Sequence, residues 1–356
     1  MTLIIILFLF FTVCTNGLLS IERINDCFTT PLSNFDGPQI VDGNATSFDW
    51  WYFDAVTKDG TSAVTIIFYR TGIEELDVSL DYVEVTLAFP NGSSFTETIA
   101  ANSSNVTACG FGASGVWNAE VGSFVGTPDL SMYTILLNNS VIEGNMTICS
   151  TTPGHYPNGS PPGSNVSALA APSIFWTNAI PGGIANGMFA YNGETLVIHD
   201  GVGYHDHNWG GSGLAVGLVS WYWGHAQVGD YTLVWFDSIT STNERHASTF
   251  LVKSGKIQVA GQNTPFASSA NFSLVLPFGN ETEYPPNIAS SNLPSGFLLN
   301  FVGVNGRQWS FLAESIHIAE NDVGLSLYTR WIGKVTGGEV GGEISTGSGV
   351  WEWLRF

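Results

Sequence analysis

Past the first twenty residues, the apolar positions of this chain fall in short runs and never settle into the three-and-four spacing of a helix. β-Branched and aromatic residues fill Val64 to Tyr69, Tyr82 to Phe89, Tyr133 to Leu137, Tyr231 to Phe236, Phe297 to Val304 and Leu325 to Ile332, and Gly, Asn or Asp punctuate the gaps. That pattern predicts an all-β chain built of sandwiches or barrels. The richest breaker segment, Thr151 to Gly183, carries several Pro and Gly and reads as a long surface excursion near a domain junction.

A weak internal repeat divides the chain. Asp49-Trp50-Trp51-Tyr52-Phe53-Asp54-Ala55 leads through Lys58-Asp59-Gly60 into Ala63 to Tyr69, while Ser220-Trp221-Tyr222-Trp223-Gly224-His225-Ala226 leads through Gly229-Asp230 into Tyr231 to Asp237. Both read as aromatic hairpins. If Gly229-Asp230 is a two-residue turn, Val228 pairs with Tyr231, Gly224 with Trp235 and Tyr222 with Asp237. One face then carries Tyr222, Trp235 and Asp237, the other Trp221, Trp223 and His225. Parity alone does not say which face is core.

Composition sets the class. Leu3 to Val13 is almost wholly apolar and is followed by small residues at Thr15-Asn16-Gly17, which fits a secretory signal too short to span a membrane. Ten Asn-X-Ser/Thr sequons follow, at Asn44, Asn91, Asn102, Asn105, Asn138, Asn145, Asn158, Asn165, Asn271 and Asn280, as expected of a glycosylated protein of the secretory pathway or the extracellular space. Of Cys27, Cys109 and Cys149, the last two each close a strand-like run, and we pair them. A net charge of −20 with no basic patch argues against nucleic acid and anionic lipid as partners.

Charged residues are 11% of the chain and aromatics 13%, so polar side chains gathered within aromatic sequence are expected at a pocket. They gather most densely in Gly201-Val-Gly-Tyr-His-Asp-His-Asn-Trp-Gly210. His205 and His207 at i and i+2 on a strand point to one face, as two metal ligands do, but no carboxylate follows at a familiar spacing, and we expect no metal. A hydrogen-bonded corner and a metal-free functional site both remain open readings. Arg70 ends one predicted strand, Arg330 alternates with Tyr328 on another, and Trp351 and Trp353 share a late strand face.

Trp50-Trp51-Tyr52-Phe53-Asp54 and Gly203-Tyr204-His205-Asp206-His207-Asn208-Trp209-Gly210 together resemble the carotenoid-hydratase-like calycin superfamily, most closely its fungal Diels-Alderase branch. Within the branch, a leader with many sequons is similar to the hetero-Diels-Alderases of tropolone-sesquiterpenoid pathways. After the expected signal peptide (1–17), the resemblance implies an N-terminal β-sandwich (18–188) and a C-terminal lipocalin/calycin-like β-barrel (189–356), with a pocket between or within them. The hydratase relatives imply a His and a Trp two apart, matched by His207 and Trp209, and a Tyr and an Asp two apart. The second pair falls on Trp235 and Asp237, and loss of that phenol favours cyclisation over hydration.

The resulting expectation is a cofactor-free pericyclase that joins a tropolone o-quinone methide to a humulene-type olefin in fungal meroterpenoid biosynthesis. Preorganisation alone supplies roughly 7 to 11 kcal/mol to such a reaction. Tyr52, His207, Trp235 and Asp237 are the expected catalytic residues. Trp51, Arg70, Trp209, Tyr222, Trp223, His225, Tyr328, Arg330 and Trp353 are the expected substrate contacts. Two alternatives stand beside it: a cofactor-free hydratase or isomerase of an isoprenoid alkene using Asp237 and His207, and a non-catalytic lipocalin-like carrier of hydrophobic ligands.

Overall fold

A computed structural model describes residues 35–40, 47–71, 81–263, 270–322 and 327–356. The expected signal peptide, Cys27 and the sequon at Asn44 lie outside them. The first sheet has twelve strands: β1 (Phe48–Val56), β2 (Ala63–Thr71), β3 (Asp81–Ala88), β4 (Ser94–Ala101), β5 (Ser104–Cys109), β6 (Gly112–Trp117), β7 (Gly122–Gly126), β8 (Met132–Asn138), β9 (Ile142–Ser150), β10 (Leu169–Ala171), β11 (Ile174–Tyr191) and β12 (Glu194–Gly210). Their order is β4-β3-β2-β1-β12-β11-β9-β8-β7-β6-β5, with β10 beside β11. The second sheet has nine: β13 (Ser220–Val228), β14 (Tyr231–Ile239), β15 (Arg245–Lys253), β16 (Lys256–Asn263), β17 (Phe272–Gly279), β18 (Pro294–Val302), β19 (Gln308–Asp322), β20 (Leu327–Glu339) and β21 (Ser345–Arg355). Its order is β16-β15-β14-β13-β21-β20-β19-β18-β17.

The all-β expectation holds, with two nearly closed, barrel-like sheets. Curling follows from the strand twist, which lets one face of each sheet enclose its own apolar side chains. Trp51, Phe53, Phe68, Trp117, Phe124 and Tyr133 fill the first interior. Tyr222, Trp235, Phe297, Trp309, Trp351 and Trp353 fill the second. A third buried cluster joins the two sheets: Phe48, Tyr52, Ile67, Trp176 and Tyr204 of the first meet Trp221, Trp223, Phe236, Ile332 and Leu354 of the second. Both aromatic hairpins bring strands to this seam. β1 pairs β2 from Phe48↔Thr71 to Val56↔Ala63, and β13 pairs β14 from Ser220↔Ile239 to Val228↔Tyr231.

The register predicted for the second hairpin is the one found, with Gly224 opposite Trp235 and Tyr222 opposite Asp237. Gly229 takes a positive φ of 57° in the turn, where a side chain would be strained. Gly224 has a different reason: a Cβ there would meet the Trp235 indole at 2.3 Å.

Three expectations change. Thr151 to Gly183 is not all surface excursion, because Ile174 to Gly183 opens the 18-residue β11 and is largely buried. Its Pro and Gly sit beside register shifts between Asn178, Ile180 and Gly183, where the strand bends with the curling sheet. The first sheet also runs through β12, so the change of sheet falls between Gly210 and Ser220, not at 188/189. Finally, Cys109 and Cys149 are both disulfide-bonded, but β6, β7 and β8 stand between their strands. Four inter-strand steps amount to roughly 19 Å along the sheet, which argues against the bond expected between them.

Candidate active site

The seam between the sheets holds a half-open cavity of about 280 Å³. Strand alternation explains how β1 serves both the seam and the first core. Trp51 and Phe53 point into the first interior, while Trp50, Tyr52 and Asp54 point toward the second sheet. β12 divides the same way: His205 and His207 face the first interior, and Tyr204, Asp206 and Asn208 face the seam. The motif contributes its intervening residues to the cavity, not its histidines.

The second hairpin resolves the question that parity left open. Tyr222, Trp235 and Asp237 lie inside the second barrel, and Trp221 and Trp223 line the cavity. His225 lies just behind that wall, where its Nε2 is 2.9 Å from both carboxylate oxygens of Asp54. Asp54 also accepts the Tyr52 hydroxyl at 2.6 Å, and the His225 ring stacks on Tyr204 with centroids 4.4 Å apart. This Tyr52–Asp54–His225 bridge fixes the two sheets to each other beside the cavity. Burial, with Asp54 alongside, holds the Tyr52 phenol well above its ordinary pKa.

Of the expected site residues, the structure brings Tyr52, Trp223, Tyr328 and Arg330 to the cavity wall. The others lie elsewhere. His207 is fully buried, stacked on Trp51 at 4.5 Å, and its Nε2 donates to Asp49 Oδ1 at 2.5 Å. Arg70 stands 4.0 Å from the same Asp49, and Trp209 packs on Phe175 and His207. Trp235 is wholly buried in the second core, and Trp353 donates there to Ser220. Asp237 is clamped by Arg245 through Nε at 2.9 Å and Nη2 at 2.6 Å, with the Tyr284 hydroxyl at 3.0 Å. None of these residues lines the cavity, and all but the part-exposed Arg70 and Trp209 are interior anchors.

Sequence reasoning missed most of the polar wall. Glu84 on β3, Asp206 on β12, Glu320 and Asp322 on β19 and Glu352 on β21 contribute five carboxyl groups to the wall, with the guanidinium of Arg330 on β20. Arg330 Nη1 donates to Glu320 at 2.7 Å, and its guanidinium lies over the rings of Tyr52 and Tyr328 at 5.3 and 5.2 Å. Burial lowers its pKa, yet Tyr328, Tyr52, Glu320 and Glu352 outweigh that and raise it on balance. Glu352 accepts from Trp221 Nε1 at 2.9 Å and from the Tyr328 hydroxyl. Asp206 accepts from Trp176 Nε1, Asn208 Nδ2 and the Tyr204 hydroxyl at 2.7, 2.7 and 2.8 Å. Glu320 also accepts from Thr86 at 3.3 Å.

Glu84 differs from these three. It accepts no hydrogen bond among the described residues, and burial followed by the nearby Glu320 charge pushes its carboxyl up to about 8. Burial also raises Asp206, to about 6, against the pull of its three donors. A carboxylate saturated with donors is held as an acceptor, whereas burial and the Glu320 charge shift Glu84 toward its protonated form. Aromatic side chains complete the wall: Trp50, Tyr69, Trp221, Trp223, Phe236 and Phe356. A wider depression of about 480 Å³ on β5 to β7 carries no titratable side chain and offers no comparable chemistry. No group of metal-ligating side chains occurs among the described residues, and no helix among them is long and apolar enough to cross a membrane.

A half-open aromatic cavity with a carboxyl whose pKa is raised, set between two curled sheets, fits an enzyme acting on small molecules. The chain belongs to the Diels-Alderase-like family, whose pattern it matches over residues 14–356. It is 34% identical over 326 residues to the quinolone epoxide rearrangement protein penF of Penicillium thymicola, covering 88% of this chain and 86% of the relative. The quinolone epoxide rearrangement protein asqO of Emericella nidulans is 32% identical over 352 residues, covering 96% and 91%. The crystal structure of CghA with Sch210972 superposes with a TM-score of 0.75 at 21% identity, covering 93% of this chain and 97% of that one. Kievitone hydratase from Nectria haematococca shares the fold, with a TM-score of 0.54 at 12% identity, covering 93% of each chain.

Proposed function

We propose that this enzyme rearranges or cyclises one flat, oxygen-bearing aromatic substrate without a cofactor, with Glu84 as the proton donor. The observation that carries this reading is the one cavity carboxyl pushed up to about 8 that accepts no hydrogen bond among the described residues, in a wall where Asp206, Glu352 and Glu320 each accept from named donors. The names of the two relatives make a quinolone epoxide the first substrate class to test. Glu84 gives its proton to the epoxide oxygen as a ring C–O bond breaks. An internal nucleophile or a migrating group then closes on the electron-poor carbon, and the proton released returns to Glu84. The product is an isomer of the substrate.

The o-quinone methide and olefin cycloaddition expected from the sequence is a second reading, favoured by the aromatic wall of Trp50, Tyr69, Trp221 and Trp223. A volume of about 280 Å³ stands at the low end for ligand pockets and suits one substrate better than two. Purified protein given a quinolone epoxide, or a tropolone quinone-methide precursor with humulene, separates the readings by the product isolated. Glu84→Gln is expected to slow the epoxide reaction roughly 10²-fold or more. An unchanged rate in the folded variant removes Glu84 from the chemistry.

We further propose that the protein enters the secretory pathway. Asn91, Asn102, Asn105, Asn138, Asn145, Asn165 and Asn280 are exposed and Asn158 and Asn271 half-buried, so an oligosaccharyltransferase can reach the folded surface at each. Material from the native host is expected to shift to lower mass with an N-glycosidase. No shift counts against this placement.

A further inference from the structure

Two residues that line the cavity each carry a donor that makes no hydrogen bond among the described residues. Trp223 Nε1 and Arg330 Nε are both fully buried and without a hydrogen-bond acceptor among the described residues, although both residues line the cavity and are 4% and 3% exposed. Arg330 Nε forms an ion pair with Glu352 at 3.5 Å without a hydrogen bond, while Nη1 donates to Glu320. The two residues occupy one rung of the second sheet. Trp223 on β13 and Arg330 on β20 each pair with Glu352 on β21, so the three side chains project from the same face. Tyr52 of the first sheet faces them, its ring 5.2 Å from Trp223 and 5.3 Å from the Arg330 guanidinium. Its own hydroxyl proton goes to Asp54, so Tyr52 serves here as a wall.

Buried donors without acceptors are rare in folded proteins, and at a cavity wall they mark the place of a ligand oxygen. We infer that Trp223 Nε1–H and Arg330 Nε–H form a subsite for a carbonyl oxygen of the substrate, and so set which way round the substrate lies. This rests on the cavity being the substrate site, as proposed above. It assigns the substrate class a further requirement: a ring-borne carbonyl that stays an acceptor throughout the reaction, at a different place from the oxygen that Glu84 protonates.

The test compares 1-tetralone with tetralin, which share a ring skeleton and differ in the carbonyl, by titration of intrinsic tryptophan fluorescence. The native protein is expected to bind the ketone about tenfold more tightly, the worth of one to two net hydrogen bonds. Trp223→Phe keeps an aromatic wall without the N–H and is expected to reduce that preference to about twofold, with tetralin binding little changed. Equal affinity of the native protein for both probes overturns the subsite while leaving the cavity reading intact. A preference undiminished in Trp223→Phe overturns the assignment of Trp223. Failure of the native protein to bind either probe overturns the cavity reading and this inference together. Because the native comparison stands alone, the inference stays testable even if the variant does not fold.

Discussion

Glu84 shows how burial and one neighbouring charge give a residue a role that its type alone does not. Its carboxyl lies at about 8 against an ordinary 4.5, so the folded chain binds more protons than the unfolded one between those values. Stability from this group is therefore fully present below about pH 4.5 and is lost as pH rises through about 8. Activity follows the same proton. The rate is expected to fall as pH passes about 8, where the donor form disappears, and Glu84→Gln is expected to abolish that limb and flatten the decline of Tm between pH 5 and pH 8.5. A rate profile indifferent to pH across this range would count against the assignment.

At the scale of strands, the sequence revealed alternation better than it revealed which side of each strand faces the site. The register of β13 and β14 followed from Gly229-Asp230, because a two-residue turn leaves little freedom in pairing. The histidine motif was legible as unusual, but Asp206 and Asn208, not His205 and His207, face the cavity, and that depends on which interior each face of β12 meets. Glu84 was hidden for a related reason. A single carboxylate on the polar side of a strand reads as solvent-facing until another sheet covers it. Trp235 and Asp237 sat at the positions implied by family resemblance, yet they lie inside the second barrel. There Asp237 ties β14 to Arg245 on β15 and to Tyr284 beyond β17. Asp237→Asn is expected to cost about 3 kcal/mol by leaving Arg245 as a buried unpaired charge, with the turnover of the remaining folded enzyme nearly unchanged. Denaturant unfolding alongside the rate on folded protein distinguishes this from a catalytic role, which would lower turnover at unaltered stability.

The molecule divides its labour between the sheets. Trp51, Phe53 and Trp117 stabilise one interior and Trp309, Trp351 and Trp353 the other, and neither set touches the cavity. The cavity wall is assembled from both sheets, Tyr52, Glu84 and Asp206 from one and Trp223, Arg330 and Glu352 from the other. A site made only where two separately closed cores meet has a consequence in time. During refolding, tryptophan burial in either interior is expected to recover before activity does, and catalysis to appear only with docking, when the His225–Asp54 contact closes. Stopped-flow fluorescence followed by an activity assay on the same sample tests that order, and simultaneous recovery would refute it. Catalytic competence would then serve as a clock for the last step of folding.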